Sequence, residues 1–191
     1  MYGLSPPELA SLLCAFLWAF SGIILRSQSA QVTPAAMNVI RCGVAGALFG
    51  CIVPFNPTPL SELALVPWRN WALLAASFTI GIAIGDTLYM ISIKEIGISR
   101  TMALTGVFPL TTMAWETTLL GNPLQTTLLI GSLFVIGGVY FLSLKETADG
   151  QEDPTQLRRG VFVALAAALL WGLAATLLKP ATANMDIVHA N

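Results

Sequence analysis

Six apolar stretches, at roughly 8–28, 34–54, 71–93, 98–120, 124–144 and 160–179, dominate the chain. Each is close to the ~20 residues that a helix needs to cross the hydrocarbon of a bilayer. Few folds can use such runs. In lipid every backbone N–H and C=O must find a partner inside the protein, which leaves helices and closed barrels, and barrel strands are much shorter and alternate in polarity. Composition agrees, because 55% of residues are hydrophobic and only 10% charged, against about a quarter charged in a soluble domain. The expectation is an all-α integral membrane protein of the multi-pass kind, in contact with the lipid bilayer and located in the cell membrane. The first stretch is read as a helix and not as a signal peptide, since residues 1–8 hold no Lys or Arg and the apolar run is too long.

The separators carry loop chemistry: QVTP at 31–34, PFNPTP at 54–59, Ile96-Gly97, GNP at 121–123, and the polar run from Lys145 to Arg159. That last run divides the chain into five helices and one. The sixth aligns on the first without gaps, LLCAFLWAFSGIILR (12–26) over LAAALLWGLAATLLK (165–179), so that Trp18 meets Trp171 and Arg26 meets Lys179. An odd number of helices per repeat turns the second copy upside down in the membrane, as in secondary transporters. Arg26 and Lys179 are therefore expected on opposite faces. The domain reading is a five-helix repeat over 1–145, a polar loop over 146–159, and the start of a second repeat over 160–191. The first five helices should form one compact bundle, with the sixth packed less well because its partners would lie in the rest of the second repeat.

Several function classes drop out. A net charge of −1 and the lack of any basic run argue against nucleic acid. Cys14, Cys42 and Cys51 fit neither a zinc spacing nor a disulfide framework, and are read as small packing residues. No metal site or cofactor is expected. Intramembrane hydrolysis draws on a Ser–His dyad, a metal cluster or paired aspartates. This chain has no histidine before His189 and one aspartate inside an apolar helix, so it is not expected to be an enzyme.

The stretches LWAFSGIILR (17–26), MNVIRCGVAGALFG (37–50), GDTLYMISIKEIGISRTMALTGVFPL (85–110) and LLGNPL (119–124) together resemble an EamA-type domain of the drug/metabolite transporter superfamily. The resemblance covers most of residues 8–145, and 160–191 looks like the start of a second such domain. It implies a transporter of ten helices in two inverted five-helix repeats, working by alternating access on a small metabolite or drug-like solute, with protons or another coupling ion as partner. One position departs, since Asn122 stands where the family usually closes its fourth helix with glutamate. The chain is accordingly expected to be a fragment of a longer transporter. The alternative is a half-size membrane protein acting as an antiparallel dimer, or a non-transporting membrane subunit. Orientation is open: counting Lys and Arg by face puts the N-terminus outside, whereas the resemblance implies cytoplasmic termini.

Asp86 has no charged neighbour from Asn70 to Ile93. Arg41 lies seven residues beyond Pro34 and Asp86 seven short of Ile93, so each sits ~10 Å below the same face. An isolated charge at mid-membrane costs ~2.5–3.5 kcal/mol even on the lenient insertion scale, and pairing across helices is the usual relief. An Arg41–Asp86 pair is therefore expected, either as a packing device or as the lining of a substrate cavity, with snorkelling of the charges to the interface as the remaining reading. Trp18, Ser21 and Thr105 share that layer, with Asn38 and Tyr89 at its edge. Pro109 should kink the fourth helix. Ser77, Gly81 and Gly85, like Gly46 and Gly50, allow close helix approach. Glu116 and Trp115 are read as interfacial, Trp68, Arg69 and Trp71 as an interface anchor, and Lys94, Glu95 and Arg100 as a solvated turn. His189 receives no role.

Overall fold

In the computed structural model, residues 6–28, 31–56, 60–143, 153–183 and 185 are described. Among them every regular element is helical. The first rod is α1 (Pro6–Gln28) and the second α2 (Pro34–Ile52). The third runs through α3 (Trp68–Phe78), wider π-helical turns over Thr79–Asp86, and α4 (Thr87–Ile96). The fourth comprises α5 (Ile98–Thr105), α6 (Phe108–Trp115) and further π-helical turns over Glu116–Leu120. The fifth is α7 (Thr126–Ser143) and the sixth α8 (Pro154–Thr182). Of the six expected spans, four are unbroken helices long and apolar enough to cross a membrane: Leu9–Gln28, Pro34–Phe55, Trp68–Ile96 and Pro154–Thr182. The fourth rod is interrupted at Gly106 and Val107, and the fifth is shorter.

Local chemistry sets these boundaries. The Thr33 hydroxyl accepts from the Ala36 amide at 3.3 Å ahead of Pro34, whose missing N–H costs nothing in a first turn. Gly97, at φ 80°, lets α4 reverse into α5 through a single residue, a conformation that resists a side chain. Asp153 caps α8 by accepting from Thr155 N at 2.9 Å, so that helix begins at Pro154 and not at 160. The expected polar loop over 146–159 is thereby shortened, and its part up to 152 lies outside the described residues, as does His189.

The sixth rod corrects one expectation outright: it is the centre of the structure. It packs against α3, α4, α5 and α6 through a face of small residues, with Ala164, Ala167, Ala168, Gly172, Ala174, Thr176 and Ala181 all buried. Helices in lipid associate by close backbone packing and side-chain hydrogen bonds, since lipid is as apolar as leucine. Both are present here. Ser77 donates to Ala174 O at 2.8 Å, Ser92 to Gly160 O at 3.0 Å, Thr111 to Ala168 O at 2.8 Å, Trp115 Nε1 to Leu169 O at 3.1 Å and Asn70 to Ala181 O at 3.0 Å. A Cβ placed on Gly172 would run into the backbone at Thr111, and one on Gly81 would lie 2.8 Å from the Ala174 Cβ.

The first two rods lie at the edge of this core, to which they contribute Leu25 and Met37. Leu12, Phe16, Phe20 and Ile23 of α1 and Val39, Ile40 and Leu48 of α2 are exposed, a face suited to lipid or to further protein. The three cysteines are also exposed and free, so the packing role read for them is wrong in this chain. Arg26 donates to Ile93 O at 2.8 Å at the α4 end of the third rod, while Lys179 pairs with Glu116 at the far end of the fourth. The two cations thus sit at opposite ends of the bundle.

Candidate functional site

Asp86 closes the π-helical turns of the third rod, the kind of local widening that recurs at functional positions. Its carboxylate is claimed from two sides. Arg41 Nη1, from α2, lies 3.1 Å from Oδ2, and Trp171 Nε1, from α8, donates to Oδ1 at 2.8 Å. The depth count therefore located a direct contact. Asp86 is buried and 10% of its side chain is exposed, against 31% for Arg41, which reaches in from the edge. A carboxylate in such a place needs both partners, because an unpaired charge in low dielectric is costly.

Two indoles touch the pair, and two further rings pack on them. Trp171 stands edge-on to Trp18 with centroids 5.9 Å apart and edge-on to Phe108 at 6.3 Å, while Tyr89 lies 5.2 Å from Trp171 and 6.1 Å from Trp18. Such separations and tilts are the favoured arrangements of aromatic quadrupoles. The Arg41 guanidinium also sits 6.0 Å from the Trp18 ring centre, within reach of a cation–π attraction. Tyr89 is 2% exposed, and its hydroxyl, among the described residues, has no hydrogen-bond partner.

The remaining expected site residues separate into neighbours and outliers. Asn38 is buried one turn from Arg41, but its amide donates to Ile82 O at 2.6 Å and to Thr87 Oγ1 at 3.4 Å, away from the carboxylate. It fastens α2 to a carbonyl in the π-helical turns. Beside it an open groove of about 830 Å³ runs between α2 and the third rod, lined by Asn38, Cys42, Gly46, Phe78, Ile82 and Thr87 among others. Thr105 bonds back to Thr101 O at 2.8 Å within its own helix, as buried threonines commonly do. Ser21 is half-buried on α1. The fourth rod does break near Pro109, at Gly106 and Val107, with the proline in the first turn of α6.

Trp171 and Phe108 were missed as site residues. The alignment of Trp18 with Trp171 was the available signal, and it marked a repeat without revealing that the two indoles meet. Glu116 and Trp115, read as interfacial, are tied to α8 through Lys179 and Leu169 O. Glu95, read as part of a solvated turn, pairs with Arg159 at 3.1 Å. Glu116, Lys179, Asn122 and Gln125 line a pocket of about 230 Å³ at that end of the molecule. No group of His, Cys, Asp and Glu among the described residues could hold a metal ion.

Known proteins bear on these geometries. An uncharacterized transporter of Archaeoglobus fulgidus is 27% identical over 181 residues, which is 94% of this chain. The chain spans 60% of the length of that curated relative. No solved structure matches. The EamA-like transporter family matches residues 6–144, most of the chain, so this multi-pass membrane protein belongs to the EamA-like transporter family.

Proposed function

We propose that the protein moves a small metabolite or drug-like solute across the cell membrane by alternating access between two inverted five-helix repeats. The described chain would supply the first repeat and, in α8, the first helix of the second. One observation carries this reading: the Asp86 carboxylate joins α2, the third rod and α8 through Arg41 and Trp171. If α8 opens the second repeat, that carboxylate lies on the seam between repeats, where secondary transporters bind their substrates. The opposite placement of Arg26 and Lys179 supports the inverted relation. Asp86 is then the group whose surroundings change as the seam rocks, and the π-helical turns that end at it and the break before Pro109 are where the rods can flex.

The test uses the full-length protein reconstituted in liposomes and challenged with a panel of labelled metabolites and toxic analogues. Saturable movement of one solute, abolished by Asp86→Asn with Arg41→Gln in a variant that still folds, is the expected result. A cysteine placed at Ser21, in a background without native cysteines, should react with an impermeant reagent from one side at a time. Simultaneous reaction from both sides would indicate a pore and overturn alternating access.

A further inference from the structure

The guanidinium of Arg41 is itself a bound organic cation, held by a carboxylate and an indole face. Its hold is light. Only Nη1 among its several N–H donors meets Asp86, at 3.1 Å, where a guanidinium can otherwise grip a carboxylate with two parallel bonds. Its other attachment is the Trp18 ring at 6.0 Å. About a third of the side chain is exposed. It is mounted on α2, an outer rod beside an open groove. The receptor half of this contact is, by contrast, fixed. Trp171 Nε1 anchors the other carboxylate oxygen at 2.8 Å, and Trp171 is itself braced by Tyr89 and Phe108. The buried Tyr89 hydroxyl, near Gly22 of α1, has no hydrogen-bond partner among the described residues.

We propose that Asp86, Trp18, Trp171 and Tyr89 form a binding site for a solute bearing an ammonium or guanidinium group, and that Arg41 is its tethered competitor. The inference rests on the transporter reading above and names the substrate class for it. A single carboxylate serves one cation at a time. The solute's cation takes the place of the guanidinium on Asp86 and the Trp18 face while α2 carries Arg41 toward the groove. Aromatic faces attract cations through the ring quadrupole and give neutral or anionic analogues no such gain. Arg41 keeps the carboxylate paired whenever the solute is absent, which avoids a bare charge in low dielectric. A competitor of this kind lowers apparent affinity by the fraction of time it occupies the site.

The experiment measures binding of benzylammonium, benzoate and benzyl alcohol to the purified full-length protein in detergent by calorimetry. Benzylammonium should bind in preference to the other two. Arg41→Gln should tighten it about tenfold by removing the competitor, and the double variant Asp86→Asn with Arg41→Gln should lose it. Should Arg41→Gln fail to fold, Tyr89→Phe takes its place, because it deletes an atom unpartnered at rest and should weaken benzylammonium about fivefold. A preference for benzoate, weaker cation binding in Arg41→Gln, cation binding retained in the double variant, or no change in Tyr89→Phe would each overturn the proposal. The two readings can fail apart: binding with the expected pattern and no movement across liposomes removes transport alone, while transport of anions or neutral solutes that still depends on Asp86 removes the cation site alone.

Discussion

The first and last rods align residue for residue over 12–26 and 165–179, yet they occupy opposite situations. On α8 the small face is buried, and five side chains from the third and fourth rods donate to its carbonyls. On α1 the aligned positions Cys14, Ala15 and Ala19 are exposed, and the large apolar residues around them face outward too. The tryptophans show the same split. Trp171 donates to Asp86, whereas Trp18 is 42% exposed and meets the site only through ring faces. Sequence pattern alone therefore does not decide which helix is central. What differs is the neighbour, since the third and fourth rods carry Ser77, Ser92 and Thr111 to the carbonyls of α8.

The comparison can be broken most severely at its small residues. Gly172→Val should destabilise the protein by about 3 kcal/mol, because the added atoms meet the backbone at Thr111. Ala19→Val, the aligned change on α1, should cost less than about 0.5 kcal/mol in the 191-residue chain. Thermal unfolding in detergent reads both. The same Ala19 change becoming costly once a complete second repeat is present would sharpen the comparison into a symmetry, with α1 seated on inverted counterparts of the third and fourth rods.

A smaller effect is expected from the charge that tells the two tryptophans apart. Asp86→Asn should cost about 2 kcal/mol by stranding Arg41, somewhat below the figure for a fully buried pair because Arg41 is partly exposed. Adding Arg41→Gln should recover most of that loss in the same unfolding assay. A single variant as stable as wild type would mean the pair holds nothing together. Next come the indoles themselves. Trp171→Phe should cost about 1.5 kcal/mol for its bond to a carboxylate, and Trp18→Phe about 0.5 kcal/mol for a weakened cation–π contact. Equal losses would erase the asymmetry.

The smallest difference is predicted at the terminal cations. Lys179→Gln and Arg26→Gln should each cost under about 1 kcal/mol, because Lys179 is 58% exposed in its pair with Glu116 and exposed ion pairs contribute little. The Lys179 effect should shrink as salt is raised, which unfolding at two ionic strengths measures.

Much of this was legible in the residues. Turn chemistry and apolar length located the rods, and counting from Pro34 and Ile93 put Arg41 level with Asp86, because helical rise converts sequence distance directly into depth. Depth does not give azimuth, so nothing in the count showed that Trp171 would approach the same carboxylate from α8. The expectation that the sixth rod packs poorly failed for a related reason. Ala167, Ala168 and Gly172 were read as one half of a repeat, when their small size also lets the third and fourth rods come close enough for five side chains to reach α8 carbonyls. The π-helical turns at Thr79–Asp86 were hidden as well, and so was the Asn38 amide of α2 that takes the Ile82 carbonyl within them.

The row of donors facing α8 has a consequence for how the chain is made. Ser77, Ser92 and Thr111 are synthesised and inserted well before the carbonyls at Ala174, Gly160 and Ala168 leave the ribosome. In the interval Ser77 and Thr111 lack their α8 acceptors, while Ser92 has the Thr101 hydroxyl of α5 at 2.9 Å. Thr111 already shows the interim solution, a bond to Phe108 O of its own helix at 2.9 Å, which a hydroxyl can share with a later partner. Serine and threonine suit this seat because they can wait, holding their own backbone until α8 arrives, whereas a carboxamide or a charge in the same row would have to be satisfied at once.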